Sequence, residues 1–253
     1  MKLSRIRLGR PLQLVLAGLL TVGILAPMPA GAGVIAVGSR GALGGDAFID
    51  WADGGGSAAF TFPGDPFTIA SSQIGLSATL SNPDPTGAFE RRDRTITGGW
   101  AGNFSPGDAL LWTGFNAGGF SPGPMEIAFS SPVRGAGAQI QADVFGDYLA
   151  SLDAYAGVTL LGHFELPGIA SAFADNPLVI FLGVLSDAAN IDRIVYSAVT
   201  ENPEFLGQDD FAINRLDLVT APSTGIPEPA SLLLLGVGLT ALGLRAFGRR
   251  TKR

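Results

Sequence analysis

The chain has 253 residues, with 16 Lys+Arg against 22 Asp+Glu, one His, no Cys and a formal net charge of -6. These counts exclude a disulfide framework, a thiolate nucleophile and any Cys-based zinc or iron–sulfur site, and leave His163 as the sole imidazole for a Ser-His-Asp triad. With 36 Gly and 17 Pro, and only 15% charged residues against roughly 25% in typical soluble domains, the composition predicts a turn-rich β protein rather than a helical one.

The first 32 residues have the pattern of a secretory signal. Lys2, Arg5, Arg7 and Arg10 make a basic leader, and residues 12–25 (LQLVLAGLLTVGIL) an apolar run too short for a comfortable membrane span. Pro27 and Pro29 end that run before the small residues Ala30, Gly31 and Ala32, where signal peptidase is expected to cut. A domain over 33–219 follows, then a polar linker over 220–225 (TAPSTG) and a C-terminal signal over 226–253.

Within the domain the strand signals are short and separated by turn residues. Strands are expected at 48–51 and 58–62. In the next segment Ile74, Leu76, Ala78 and Leu80 alternate with Gly75, Ser77 and Thr79, the period of a half-buried strand. Further strands are expected at 94–97, 109–113, 125–129 (Met125, Ile127 and Phe129 on one face) and 137–144 (Ala138, Ile140 and Ala142). The remaining segments are 151–156, 159–164, 178–185, 193–199 and 211–218. In the last, Phe211, Ile213, Leu216 and Leu218 can all face inward only if a bulge or register change falls near Asn214. Roughly ten short strands without a helical period point to an all-β fold, an antiparallel β-sandwich of jelly-roll type.

Charge is unevenly distributed. Residues 33–226 hold seven arginines, no lysine and 21 acids (the 22 of the chain less Glu228), a net of 7 − 21 = -14. Such a domain repels nucleic acid and anionic lipid, and its lack of lysine excludes Schiff-base chemistry. Neutral glycans, cations and other proteins are the expected partners.

At the C-terminus, Ile226-Pro227-Glu228-Pro229 precedes an apolar run and the cations Arg245, Arg249, Arg250, Lys252 and Arg253. From 230 to 247 there are 18 residues, all uncharged except Arg245, at the short end of the roughly 17–25 that a helix needs to span a bilayer. The basic tail belongs on the cytoplasmic side. The sequence Pro227, Glu228, Pro229, the apolar segment and the Arg-rich tail resemble a PEP-CTERM sorting signal, with Ile226 where Val is commoner. The resemblance implies an exosortase-type membrane protease as partner and a Gram-negative envelope. It also implies an inner-membrane-anchored precursor that ends at the cell surface or outside the cell.

The body is similar to a domain that recurs in secreted PEP-CTERM proteins. The residues that carry this are Asp50-Trp51, Arg91-Arg92-Asp93, Gly99-Trp100-Ala101-Gly102-Asn103-Phe104 and the run from Pro106 to Trp112. It continues through Pro132-Val133, the run from Gly135 to Gln141, Phe181-Leu182-Gly183-Val184, Ile191 and Asp210-Phe211-Ala212-Ile213. That resemblance implies a sandwich similar to carbohydrate-binding jelly rolls and supplies no catalytic residue.

Candidate chemistry is spread thinly. His163 could act as a base beside Asp153 or Glu165, but a lone strand histidine is more often structural, and no G-x-S-x-G elbow is present. A pair of acids could cleave glycosides, yet among 21 none is marked out. No cofactor is expected beyond a structural calcium held by Asp46, Asp50, Asp53, Asp209 and Asp210, which would converge if the first and last strands are neighbours. Trp112 reads as core. Trp100, set between glycines, reads as the exposed ring that could stack on a sugar. Arg91 and Arg92, with Arg94, form the basic cluster that could grip a carboxylated polysaccharide. The expected function is that of an exported, non-enzymatic surface or matrix protein, and the PEP-CTERM resemblance implies its association with exopolysaccharide or biofilm. The alternatives are a secreted glycosidase or lyase acting on matrix polysaccharide, and a structural or adhesive protein that binds other proteins.

Overall fold

The computed structural model describes residues 33–54, 60–61, 66–82, 88–93, 100, 102–115, 123–171, 179–200, 207–208 and 210–220. Their elements are β1 (Val34–Val37), α1 (Arg40–Leu43), β2 (Ala47–Ile49), a 3-10 turn (Trp51–Gly54), β3 (Phe60–Thr61), β4 (Phe67–Ala70), β5 (Ser77–Ser81) and β6 (Ala88–Asp93). They continue with β7 (Ala109–Phe115), β8 (Met125–Val133), β9 (Gly135–Ala142), β10 (Gly146–Ala156), β11 (Thr159–Ala170) and β12 (Ile180–Ser186). The last are β13 (Ile191–Thr200), β14 (Gly207–Gln208), β15 (Phe211–Ile213) and β16 (Leu216–Val219).

The strands form two antiparallel sheets. The first runs β1-β12-β9-β15-β7-β6-β3, with β16 laid along β9 and β2 added outside β16. The second runs β11-β10-β13-β8-β5-β4, with β14 on β13. Alternation puts Met125, Ile127 and Phe129 of β8, and Leu152 and Ala154 of β10, on the inner face of the second sheet. They meet Ala136, Ala138 and Ile140 of β9 in the first. Each fully buried Leu or Ile in such a layer contributes ~1.5–3 kcal/mol, so the shared core holds the sheets together.

Two tyrosines cross that core. The Tyr196 hydroxyl, on β13, accepts from Ala138 N (3.0 Å) and donates to Leu182 O (2.8 Å), bridging β9 and β12 of the opposite sheet. Tyr148, on β10, donates to Ile140 O (2.7 Å). Burial raises both phenols above their ordinary pKa of 10.0.

Several local expectations change in the folded chain. The strand expected from Ile74 to Leu80 begins only at Ser77; residues 71–76 form a turn, and Ile74 is 100% exposed rather than inward. The reason is local: Ser71 Oγ accepts from Gln73 N (3.1 Å), and Gly75 takes φ 85, which a continuing strand forbids. The strand at 48–51 ends at Ile49 because Asp50 Oδ1 accepts from Ala52 N (2.9 Å) and turns the chain. The expected strand at 94–97 lies outside the described residues, as do the leader, the C-terminal apolar segment and Asp209. Among the described residues no helix is long and apolar enough to cross a membrane.

The outer face of the first sheet is covered in two places. α1 is one turn, started by Ser39 Oγ accepting from Ala42 N (3.1 Å) and stopped by Gly44 at φ 65. It buries Leu43 against Val37, Phe181 and Val219 and aims Arg40 along the sheet. Near the other end, Trp100 and Phe104 pack on Leu110, Ala212 and Trp112.

Candidate functional site

Between these two covers the first sheet forks. β15 pairs Ile213 with Ile140 of β9, while β16 pairs Asp217 with Gly137. Four steps on one strand thus match three on the other, the one-residue bulge that the inward phase of Phe211, Ile213, Leu216 and Leu218 requires. On the side away from β9, β15 is paired by β7 and β16 by β2. Those two strands do not meet across Asn214 and Arg215, and a cleft of about 240 Å3 opens there.

The cleft is lined by Arg40, Arg91 and Arg215 with Asp50, Asp93 and Asp108, together with Asn214. Three of the exported domain's seven arginines therefore meet at one place. Asn214 is the hub, at 2% exposure. Its Nδ2 donates to Asp108 Oδ2 (3.0 Å) and Gln139 Oε1 (2.6 Å), and its Oδ1 accepts from Gln139 N (3.0 Å) and an Arg40 guanidinium nitrogen (3.3 Å). Its backbone carbonyl accepts from the buried Trp51 indole (2.8 Å). Every polar group of this residue is engaged, which fixes the floor of the cleft.

Charges are arranged in pairs around that floor. Asp217, 4% exposed, pairs with Arg40 and accepts from Arg215 at 2.8 and 3.1 Å. Arg215 also lies over the Phe48 ring at 4.8 Å. Arg91 pairs with Asp93 at 3.1 Å. The guanidiniums are held by neighbours yet face the cleft, so they can donate to a ligand without a large loss of side-chain freedom.

The residues singled out in the sequence are distributed as follows. Arg91 lines the cleft, but Arg92 points to the other face of β6, since adjacent strand residues alternate. There it pairs with Glu90 (2.9 Å) and covers the Trp112 ring at 4.4 Å. Trp100 is not the exposed ring that its flanking glycines suggest; it is 6% exposed, edge-on to Phe104 and Trp112. A Cβ on Gly102 would lie 2.2 Å from the Trp100 indole nitrogen, so the glycine serves to let the ring fold inward. Trp112, read as core, is only partly buried at the rim of that cluster.

The acids of the expected calcium set are separated. Asp46 accepts from Thr220 N (2.7 Å), Asp50 lines the cleft, and Asp53 is exposed in the following turn. Asp210 precedes β15, whereas Asp46 donates its N–H to Leu218 O at the far end of β16, and Asp209 lies outside the described residues. Among the described residues no three His, Cys, Asp or Glu side chains are placed to hold a metal ion.

His163, on β11, faces Asp153 on β10 in register. Its Nδ1 is 2.5 Å from Asp153 Oδ1 and its Nε2 3.3 Å from Glu165 Oε1, and it is half exposed. The hydrogen bond to Asp153, then that to Glu165, raises its pKa above 6.5. Protonation is thus favoured by folding, and its contribution is full below about pH 6.5 and fades as pH rises through the raised value. Denaturation of wild type and His163→Gln from pH 5 to 9 should show a small difference that is largest at the acid end. A difference that grows toward pH 9 would contradict the pairing.

The charged and amide cleft residues that sequence reasoning missed are Arg40, Asp93, Asp108, Asn214 and Arg215. The available signal was the phase slip at Asn214, since bulges often stand beside sites.

The fold and cleft define a class: a two-sheet, antiparallel, all-β domain with a charge-paired polar cleft. Residues 225–250 match the family model of the PEP-CTERM protein-sorting motif. The chain thus carries the signal of an exosortase-sorted exported protein, with Pro227, Glu228 and Pro229 inside the matched segment. No curated protein matches the chain. Among solved structures, a DUF4465 family protein from Bacteroides caccae is similar at 10% identity and a TM-score of 0.41, over 68% of this chain and 99% of that one.

Proposed function

We propose that the chain is an exported, non-enzymatic surface or extracellular-matrix protein whose jelly-roll-type domain holds exopolysaccharide in the Asn214 cleft. The sorting motif supports delivery through the membrane by an exosortase-type protease. The strand order supports the jelly-roll reading. Along the path β7, β8, β9, β10, β11, β12, β13, β15, one sheet reads first-eighth-third-sixth and the other second-seventh-fourth-fifth. That is the interleaving of two Greek keys.

The observation that carries the proposal is the lining of the cleft. Sugar hydroxyls both donate and accept, and guanidinium, carboxylate and amide groups answer them in fixed planes. The carboxylates are committed to the fold: Asp50 to Ala52 N, Asp93 to Arg91 and Asp108 to Asn214. That commitment favours a rigid binding surface over a proton-transferring pair.

Titration of the host's exopolysaccharide into the exported protein tests this. Arg215→Ala, at a side chain 40% exposed, should leave the fold intact. It should weaken binding about ten-fold, near the ~1.5 kcal/mol of one charge-assisted hydrogen bond. Equal affinity in the two proteins would remove the cleft from the function. Shortening of the polymer would replace the binding reading with a glycosidase or lyase.

A further inference from the structure

The chain leaves the domain at an end that is built differently from the rest of its surface. Val219 pairs with Gly135, so Thr220 emerges beside the β8–β9 corner. It is anchored there: Thr220 N donates to Asp46, and its hydroxyl is 2.5 Å from Gln73 Oε1. Gly33 starts at the same end, its N–H donating to Asp187 Oδ2 (3.2 Å). The pairings Ile191 with Val133 and Tyr155 with Arg193 bring the β10–β11 tip there. The pairing of Ala78 with Phe129 brings the 71–76 turn.

Those two tips carry the most exposed large apolar side chains among the described residues, Ile74 at 100% and Val158 at 98%. They lie four strand spacings apart in the second sheet, about 20 Å. Residues 71–76 and 130–133 hold no charged side chain, on a domain of net charge -14 (7 − 21). The nearby acids Asp46, Asp187 and Asp192 each face a backbone N–H, of Thr220, Gly33 and Gly157. A shallow cleft of about 300 Å3 between Ile74, Pro132 and Thr220 separates the turn from the corner.

From Thr220 only residues 221–229 precede the apolar segment of the sorting signal. Nine residues reach ~30 Å at full extension and about half that as a coil. We infer that this end of the sandwich rests on the lipid surface in the precursor, with Ile74 and Val158 as its two apolar contacts. The inference rests on the membrane-anchored precursor that the sorting signal implies. Tethering supplies the local concentration, and segments 71–76, 130–133 and 156–159 bring no acid of their own against an anionic bilayer. After release the same contacts are freed, so the face acts only before processing.

The absence of cysteine permits a direct test on the full chain. Single variants Ile74→Cys, Val158→Cys, Phe145→Cys and Leu234→Cys would carry an environment-sensitive fluorophore in phosphatidylethanolamine–phosphatidylglycerol vesicles. Phe145 is a half-exposed apolar residue at the other end of β10, ~35 Å from the β10–β11 tip. Nitroxide-bearing lipids should quench labels at 74 and 158 and leave that at 145 bright. Equal emission at 74, 158 and 145, with 234 quenched, would overturn the inference alone. Quenching at 74 and 158 only after the processing protease is added would assign the face to that enzyme and overturn the lipid contact. A bright label at 234 would overturn the anchored precursor and the inference together.

Discussion

Asn214→Ala is expected to lower the stability of the folded domain by about 3 kcal/mol, the largest effect of any single polar substitution in the cleft. The side chain is 2% exposed and makes four hydrogen bonds, two of them to charged partners. Alanine leaves Gln139 N and Asp108 Oδ2 facing an unfilled space in a buried network, where an orphaned group costs ~1–3 kcal/mol. For a domain of this size the melting temperature should fall by roughly 6–12 °C. Asn214→Asp should be at least as harmful, because a carboxylate cannot donate to Asp108 or to Gln139 Oε1. Both variants should also weaken glycan binding, since Asp108 and Arg40 lose their fixed positions. A loss below about 1 kcal/mol, typical of surface sites, would show that the hub is not holding the fork.

Tyr196→Phe is expected to cost about 2 kcal/mol without loss of the fold. The substitution keeps the ring but removes the hydroxyl between Ala138 N and Leu182 O at the centre of the core. Tyr148→Phe should cost less, since that hydroxyl serves one carbonyl, Ile140 O. Alkaline pH supplies an independent check. Folding raises the Tyr196 phenol above 10.0, so its contribution is intact below about pH 10 and is lost as pH climbs toward the raised value. The stability gap between wild type and Tyr196→Phe should therefore narrow above pH 10 in chemical denaturation. A constant gap to pH 11 would show that folding does not hold the Tyr196 phenol above its ordinary pKa.

Where side chains alternate in sequence, the structure was largely legible. Met125, Ile127 and Phe129, and Ala138, Ile140 and Ala142, face the core as their period of two requires. The slip at Asn214 was legible for the same reason, because four inward residues could not share one unbroken phase. Strand β6 was not. Its sequence, AFERRD, carries charge on both faces, and its acceptance in the sheet depends on Arg91 reaching Asp93 and Arg92 reaching Glu90 and Trp112. Composition around Trp100 suggested an exposed ring, whereas glycine there makes room for burial. Ile74 continued an apolar alternation that a serine-held turn interrupts.

By itself the sequence determined the sorting address, the acidity of the exported domain, its freedom from cysteine chemistry and its β character. Each depends on composition, on local order or on a period of two. Only the tertiary structure decided the cleft. Arg40 and Asn214 stand 174 positions apart, and Asp108 meets Asn214 across 106. They meet because a one-residue bulge lets β2 and β7 take different parts of one strand, and pairing at that distance in sequence is set by the sheet rather than by any neighbour.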